Sequence, residues 1–230
     1  MPPADSPGTR HNIRVPRRFG YALRVAAGVL LAASLLSAQS KRVEDLAAGK
    51  LLVTPREAAD PSFAESVILL VHYDDESAVG LMLNRRTTVP LSSVLHKLKG
   101  AAQRTDSAYI GGPVQTDSAM ALLRSHAKPD AGVLVLKDTY LIPTKKALDG
   151  VLAAGAAEGN LRVYAGYCGW GPGQLDNETR LGAWYLMDAS SAVVFDPNPA
   201  TVWNRLIART EARFAFVHPS PAVRSWWGIL

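Results

Sequence analysis

The run Gly166-Tyr-Cys-Gly-Trp-Gly-Pro-Gly-Gln-Leu175 gathers the residues of this chain best suited to chemistry. It holds the single cysteine, Cys168, among four glycines in eight residues. A thiol at a sharp strand-to-helix turn can act as a nucleophile, with nearby backbone N–H groups stabilising an oxyanion. Such chemistry also needs a base, and His72, His96, His126 and His218 are all remote from Cys168 in sequence. Since buried structural cysteines are common, a thiol-dependent hydrolase or transferase built on Cys168 is an alternative, not the leading reading. The glycines equally let the backbone approach a ligand phosphate, a neighbouring strand or the Trp170 ring. No Lys-Ser/Thr pair follows, as a Walker loop requires. Counting from Gly169 and Gly171 puts Gln174 where a dinucleotide fingerprint needs glycine. Gly169, Trp170, Gly171, Gly173 and Gln174 are therefore candidates for ligand contact, with a structural turn as the plainer reading.

Asn84-Arg85-Arg86 is the second candidate, because an arginine at a strand exit can clamp a carboxylate or phosphate through two parallel hydrogen bonds. Asp74-Asp75-Glu76 is an acidic run of the kind that caps a solvated turn more often than it binds a cation. The histidines show no H-E-x-x-H or H-x-x-x-H spacing, so no metal site and no cofactor is expected. The polar candidates all stand at the ends of apolar strands. Asn84, Arg85 and the Gly166–Gln174 loop are thus expected to line one shallow site for a small anionic or peptide ligand.

The elements that would carry these residues can be read from periodicity. Strands are predicted at Gly49–Thr54, Val67–His72 and Ala78–Asn84, the last two joined by a hairpin tip at Asp74–Ser77. Leu91, Val94, Leu95 and Leu98 fall at helical spacing between Pro90 and Gly100. Further strands are predicted near Ala108–Ile110, Met120–Leu123, Val133–Leu136, Leu161–Ala165, Ala183–Met187 and Ala192–Phe195. Thr144 can cap a helix through Leu148, Val151 and Leu152, and Pro199–Thr210 reads as a helix with Val202, Trp203, Leu206 and Ile207 inward. Strands in pairs with irregularly placed helices argue for an α+β fold over a regular parallel α/β sheet.

Charge divides the chain. The first 40 residues hold Arg10, Arg14, Arg17, Arg18 and Arg24 against Asp5, which accounts for +4 of the total of +5. The remaining domain is close to neutral and lacks the electrostatic footprint of a nucleic-acid binder, so no direct nucleic-acid contact is expected. The charge-free run from Val25 to Ser40 has the order of a secretory signal, and residues 19–38 could instead stay as a membrane anchor. The expected organisation is a basic and apolar leader at 1–40, one domain at 41–210 and a tail at 211–230. Trp226 and Trp227 in that tail are candidates for docking back onto the domain or onto a protein partner. The location expected is the cell envelope, with the cytoplasm as the alternative.

Several segments, in order, resemble the AlgH/YqgE family of bacterial proteins. They are Gly49-Lys-Leu-Leu-Val-Thr-Pro55, Asp60-Pro-Ser-Phe63, Gly80-Leu-Met-Leu-Asn-Arg85, Gly111-Gly-Pro-Val114 and the Gly166–Leu175 run, completed by Trp184, Phe195-Asp196 and Trp203. The resemblance implies an α+β fold whose bifurcated, mostly antiparallel sheet closes into a pseudo-barrel with flanking helices. It implies no enzyme, because the family has no settled activity and is often labelled a transcriptional regulator. The family pattern reads Asn-Arg-Pro where this chain has Asn84-Arg85-Arg86, and a different small residue commonly stands at Cys168. A non-catalytic binding or regulatory protein is the leading reading, with a cytoplasmic transcription-linked regulator as a further alternative.

Overall fold

The computed structural model describes residues 45–58 and 60–217. The leader at 1–40, its apolar stretch at 19–38 and the tail tryptophans Trp226 and Trp227 lie outside the described residues. Among the described residues no helix is long and apolar enough to cross a membrane.

The chain runs β1 (Lys50–Val53), β2 (Val67–Tyr73), β3 (Ala78–Met82), β4 (Arg86–Pro90), α1 (Leu91–Val94), β5 (Ser107–Ile110) and β6 (Val114–Arg124). It continues through β7 (Val133–Leu136), β8 (Thr139–Ile142), α2 (Lys145–Ala153), β9 (Leu161–Trp170), α3 (Gln174–Arg180), β10 (Tyr185–Asp188), α4 (Ser191–Val194) and α5 (Val202–Val217). The main sheet has the order β10-β1-β2-β3-β9-β6-β8-β7, and β4–β5 branches from it where β5 pairs with β9. Every pairing is antiparallel except β5 with β9. The sheet curls: a Cβ placed on Gly49, just before β1, would stand 2.9 Å from the Val135 carbonyl of β7, at the other end of the strand order. This is the bifurcated α+β arrangement that the sequence resemblance implies.

Curling gives the sheet an inner face filled by Leu51, Leu69, Leu81, Leu122 and Tyr164, which α5 plugs with Val202, Trp203, Leu206 and Ile207. Trp203 is pinned there, its indole N–H donating to the Thr54 carbonyl at 2.9 Å. The opposite face is covered in two patches. α1 and α2 cover one with Leu91, Leu148 and Leu152 against Val163 and Ile142. The other packs Ile68, Leu70, Met82, Cys168 and Trp170 beneath Leu175 of α3 and Trp184. Burial on both sides explains why β2 and β3 read as unbroken apolar runs.

β9 is the junction. Its first half pairs with β5 and β6, through Tyr164↔Tyr109 and Val163↔Ala121. Its second half pairs with β3, through Gly80↔Cys168 and Ala78↔Trp170. The switch falls at Gly166, at φ 68°, where the chain crosses Gly111 and Gly112. A Cβ on Gly111 would lie 2.2 Å from the Gly166 oxygen, and one on Gly166 would lie 2.5 Å from the Gly112 oxygen. Both contacts are with backbone, which cannot swing aside, so side chains are excluded by sterics as well as by the left-handed φ.

Four sequence expectations are corrected. The helix expected over Pro90–Leu98 is one turn, Leu91–Val94, because Pro90 offers no side-chain cap and Leu95 leaves helical geometry at φ −110° and ψ 30°. So short a helix rests on tertiary packing, here burial of Leu91 and Leu95. The strand expected at Ala192–Phe195 is the helix α4, started by Ser190, whose hydroxyl accepts from the Val193 N–H. The Gly166–Gln174 loop is strand through Trp170, leaving Gly171–Gly173 as the turn. The helix expected over Pro199–Thr210 runs on to Val217.

Gly166→Ala is expected to lower unfolding stability by roughly 3 kcal/mol or more, from left-handed strain plus backbone overlap. Gly171, where an added Cβ meets nothing within 4 Å, should tolerate alanine within about 0.5 kcal/mol. Urea midpoints of the two variants decide the comparison.

Candidate functional site

Asn84 and Arg85 leave β3 beside the turn that precedes β2. Asp60 starts that turn by accepting from the Ser62 N–H at 2.8 Å, and Glu65 ends it at φ 52°. Asn84 replaces a strand partner there. Its Oδ1 accepts from the Val67 N–H at 3.0 Å and its Nδ2 donates to the Glu65 carbonyl at 2.8 Å. Arg85 donates through Nη2 to the Ala64 carbonyl and, at 3.3 Å, to the Ser66 hydroxyl. Thr54 closes the knot, its hydroxyl donating to the Ser66 carbonyl and accepting from the Ser66 N–H at 2.9 and 2.7 Å. Arg86 points to solvent.

The glycine-rich candidates sit elsewhere. Trp170 ends β9 opposite Ala78, at the far end of β3 from Asn84. The six residue steps from Ala78 to Asn84 correspond to roughly 15–20 Å of extended chain. Asn84 and Arg85 therefore do not share one site with the Gly171–Gln174 turn, which corrects the sequence expectation. An aromatic row links the two ends instead: the Phe63 ring stands 5.6 Å from Trp184, and Trp184 6.1 Å from Trp170, both edge-on.

At the Trp170 end, one carboxylate organises the turn. Glu178 Oε2 accepts from the indole N–H of both Trp170 and Trp184 at 2.9 Å, and its Oε1 accepts from Gln174 Nε2 at 2.8 Å. Gln174 in turn accepts the Gly171 N–H at 3.2 Å through Oε1. Gly173 precedes α3 in the left-handed conformation that lets the chain enter the helix there. Gly169 pairs with Val79 within the ladder. Next to Glu178, the buried Asp176 accepts from the Tyr73 hydroxyl at 2.9 and 3.0 Å. Trp170 and Gln174 are thus parts of one closed network, which sequence spacing did not connect to Glu178 or Trp184.

Cys168 lies beneath this network, buried, with its Sγ directed at the Gly111 carbonyl at 3.5 Å. Burial pushes its thiol up to about 12, far from the range of a usable nucleophile. The acidic hairpin is a cap: Asp74 accepts from the N–H groups of Glu76 and Ser77 at 2.9 Å and faces His72 Nε2 at 3.0 Å. Burial opposes ionisation of Asp74, but those backbone donors and His72 together hold its carboxyl below the usual range. Among the described residues no three His, Cys, Asp or Glu side chains are grouped to hold a metal ion.

A third polar cluster went unread in the sequence. Arg162 of β9 is buried on the inner face, where its Nη2 donates to the Asp196 carbonyl. Arg124 of β6 donates through Nη2 to the Ser191 carbonyl at 3.0 Å. Both guanidinium groups lie over the Phe195 ring, at 5.9 and 4.6 Å from its centroid. Ser191 donates its hydroxyl to Asp138, which lowers the Asp138 carboxyl pKa ahead of the opposing effect of burial. The Asp196 carboxylate bonds to Arg205 and the Asn198 N–H and also feels the charge of Arg162. The arginines thus fasten the segment from α4 to Asp196 over the end of the curled sheet. An arginine within Leu161-Arg-Val-Tyr reads as an outward position, and only the curl of the sheet turns it inward.

A model of the AlgH-like family matches residues 51–215. A UPF0301 protein of Streptomyces avermitilis is 35% identical over 178 residues, covering 75% of this chain and 91% of its own length. A UPF0301 protein of Mycobacterium bovis is 35% identical over 172 residues, covering 70% and 81%. The solution structure of the AlgH protein from Pseudomonas aeruginosa superimposes with a TM-score of 0.59 at 29% identity, covering 74% of this chain and 91% of that one. A crystal structure of a Corynebacterium diphtheriae protein gives a TM-score of 0.62 at 24% identity, covering 79% and 91%, and shows the shared fold.

Glu178→Ala leaves two buried indole N–H groups without their acceptor and is expected to cost about 2–4 kcal/mol, with a shift in tryptophan emission. Glu178→Gln, which keeps an acceptor oxygen, should cost less. The Cys168 thiol gains a raised pKa on folding, so its contribution to stability is complete below about 9 and lost as pH rises toward about 12. Native protein should resist iodoacetamide, with labelling that follows the unfolding curve in urea. Rapid labelling of the folded chain would show that Cys168 is accessible.

Proposed function

The chain belongs to the AlgH-like family, and from that premise we propose that it is a non-catalytic binding or regulatory protein of the cell envelope. One observation carries the first half of this reading. The groups that looked most reactive in the sequence are occupied in building the fold: Cys168 is buried against the Gly111 carbonyl, Gln174 and Glu178 serve two indoles, and Asn84 bonds backbone at both ends of its amide. This disfavours the thiol hydrolase, which needs an ionisable, accessible sulfur.

The ligand is a small anion or the carboxylate of a peptide, taken at Arg85. Arg85 is half-buried and anchored by its Nη2 to Ala64 and Ser66, an arrangement that holds the rest of the guanidinium in a fixed orientation. A pre-oriented guanidinium loses little entropy on pairing with an oxyanion. The envelope location rests on the leader, whose arginines precede an apolar run from Val25 and small residues at Ser37 and Ala38. The near-neutral domain disfavours direct DNA contact as the basis of regulation.

Titration with inorganic phosphate and with a short peptide bearing a free C-terminus, followed by amide chemical shifts, tests the Arg85 assignment. Saturable shifts around Ala64–Ser66 are expected, weakened about tenfold or more in Arg85→Ala. Shifts that are unchanged in Arg85→Ala would remove it. Turnover of an ester or thioester substrate that disappears in Cys168→Ala would replace a binding protein with an enzyme. Protein isolated from its own cells should carry a mass that begins at Lys41, and an intact Met1 on a soluble species would return it to the cytoplasm.

A further inference from the structure

The outer face of the sheet is covered unevenly. Over β6, β8 and β9 it lies beneath α1 and α2. Over β1, β2 and β3 the cover is the seven-residue α3, Trp184 and the short Pro61–Phe63 turn. This thinner cover leaves Phe63 and Leu186 half-buried at its margin, and Leu181, between α3 and β10, is 78% exposed. Phe63 stands 5.6 Å from the Trp184 ring, and Leu186 follows Trp184 by two residues on the same face of β10. Asp60 and Glu65 are exposed at the two ends of the turn that carries Phe63.

α5 leads the chain to the edge of this patch. On that side β10 is the last strand of the sheet order. Thr210 of α5 directs its hydroxyl at the Met187 sulfur at 3.4 Å, and Glu211 accepts from Arg56 through both carboxylate oxygens at 2.7 and 2.9 Å. Met187 faces the inner cluster and its neighbour Leu186 the outer one, so the edge strand alone separates α5 from the patch. Val217 closes α5 about 10 Å beyond Thr210. Residues 218–230 follow in the sequence and lie outside the described residues. There Pro219 and Pro221 oppose continuation of the helix. Trp226 stands nine residues past Val217, a reach of up to about 30 Å in extended chain. Rounding one sheet takes only about 10 Å.

We propose that residues 218–230 turn around the edge of β10 and seat Trp226 and Trp227 on the patch formed by Phe63, Leu181 and Leu186. Two indoles bring roughly 300–500 Å² of surface to the contact. That matches the largest apolar patch an ordinary monomer leaves exposed. Arg224, two residues before Trp226, supplies the charge opposite to Asp60 and Glu65. A tethered segment acts at an effective concentration on the order of millimolar, which a separate partner seldom matches. The chain's own tail is therefore the occupant. The contact does not rest on the ligand reading at Arg85, and its loss would leave that reading standing.

A nitroxide attached at Gly228→Cys in the full chain tests the contact, because Cys168 is buried. In isotope-labelled protein the amides of Phe63, Leu181 and Leu186 are expected to lose their signals and regain them when the nitroxide is reduced. Those of Lys145–Ala153 on α2 should keep theirs. Replacing both tryptophans, as Trp226→Ser with Trp227→Ser, should abolish the loss. Leu181→Glu, at an exposed side chain outside the core, should weaken it. Unchanged signals at the patch, a loss centred on Val89, Ile110 or Leu134, or a loss that survives without the tryptophans would overturn the proposal. So would equal broadening from a nitroxide carried only by a second copy mixed with the isotope-labelled one, which would give the patch to another molecule.

Discussion

The crossing of Gly166 over Gly111 and Gly112 is the constraint on which the rest of the molecule depends. Sheets close-pack side chains about 10 Å apart, whereas here two stretches of backbone meet at a separation that excludes even a methyl group. The contact is held by hydrogen bonds, from the Gly111 N–H to Ala165 at 2.8 Å and from the Met82 N–H to Gly111 at 2.9 Å. Because β5 ends and β3 takes over at this point, one strand serves two branches of a sheet. The curl that follows creates the inner face, and the inner face demands a plug. α5 supplies it, with Trp203 fixed to the Thr54 carbonyl.

From that crossing the polar networks acquire a common logic. A bifurcated sheet leaves backbone groups at its forks without regular ladder partners, and buried donors and acceptors must be satisfied. Asn84 does so where β3 leaves the ladder, standing in for a strand by accepting from Val67 and donating to Glu65. Gln174 does so for the Gly171 N–H where β9 ends. Glu178 then satisfies the indoles that cover the strand end. Each network lies at a place where the sheet stops being regular, which makes them consequences of topology.

This explains what could be read from the sequence. The two-sided burial of β2 and β3 showed as continuous apolar runs, and the Thr144 cap showed because its signal is local. α4 did not, because Ser-Ala-Val-Val carries β-branched residues while its helix is set by the Ser190 cap and by burial of Val194. β8 went unread because Thr139–Ile142 is short and takes its strand state from pairing with β6 and β7. The candidate ligand residues were legible as special but not as related. Glycine enrichment signals close approach without saying to what, and here the partner is another glycine pair, 54 residues earlier at Gly112. Arg162 was invisible for the same reason: its burial is a property of the curled sheet.

The residues that carry the family resemblance are therefore, in large part, the residues that permit this fork. Gly111, Gly112, Gly166, Asn84 and Trp184 each hold a position that geometry dictates, and a fold built this way does not by itself specify an activity. Arg162 is different in kind. The inner face could be filled there by a leucine or methionine, and replacing a buried charge with a well-packed apolar side chain is often neutral or stabilising. A guanidinium buried among the Tyr109, Tyr164 and Phe195 rings is not what the curl of the sheet requires. Stability alone gives no reason to keep it, whereas an interaction made only when a partner is present does. In a chain whose other conspicuous groups are consumed by architecture, a function is best sought at the groups that the architecture does not need.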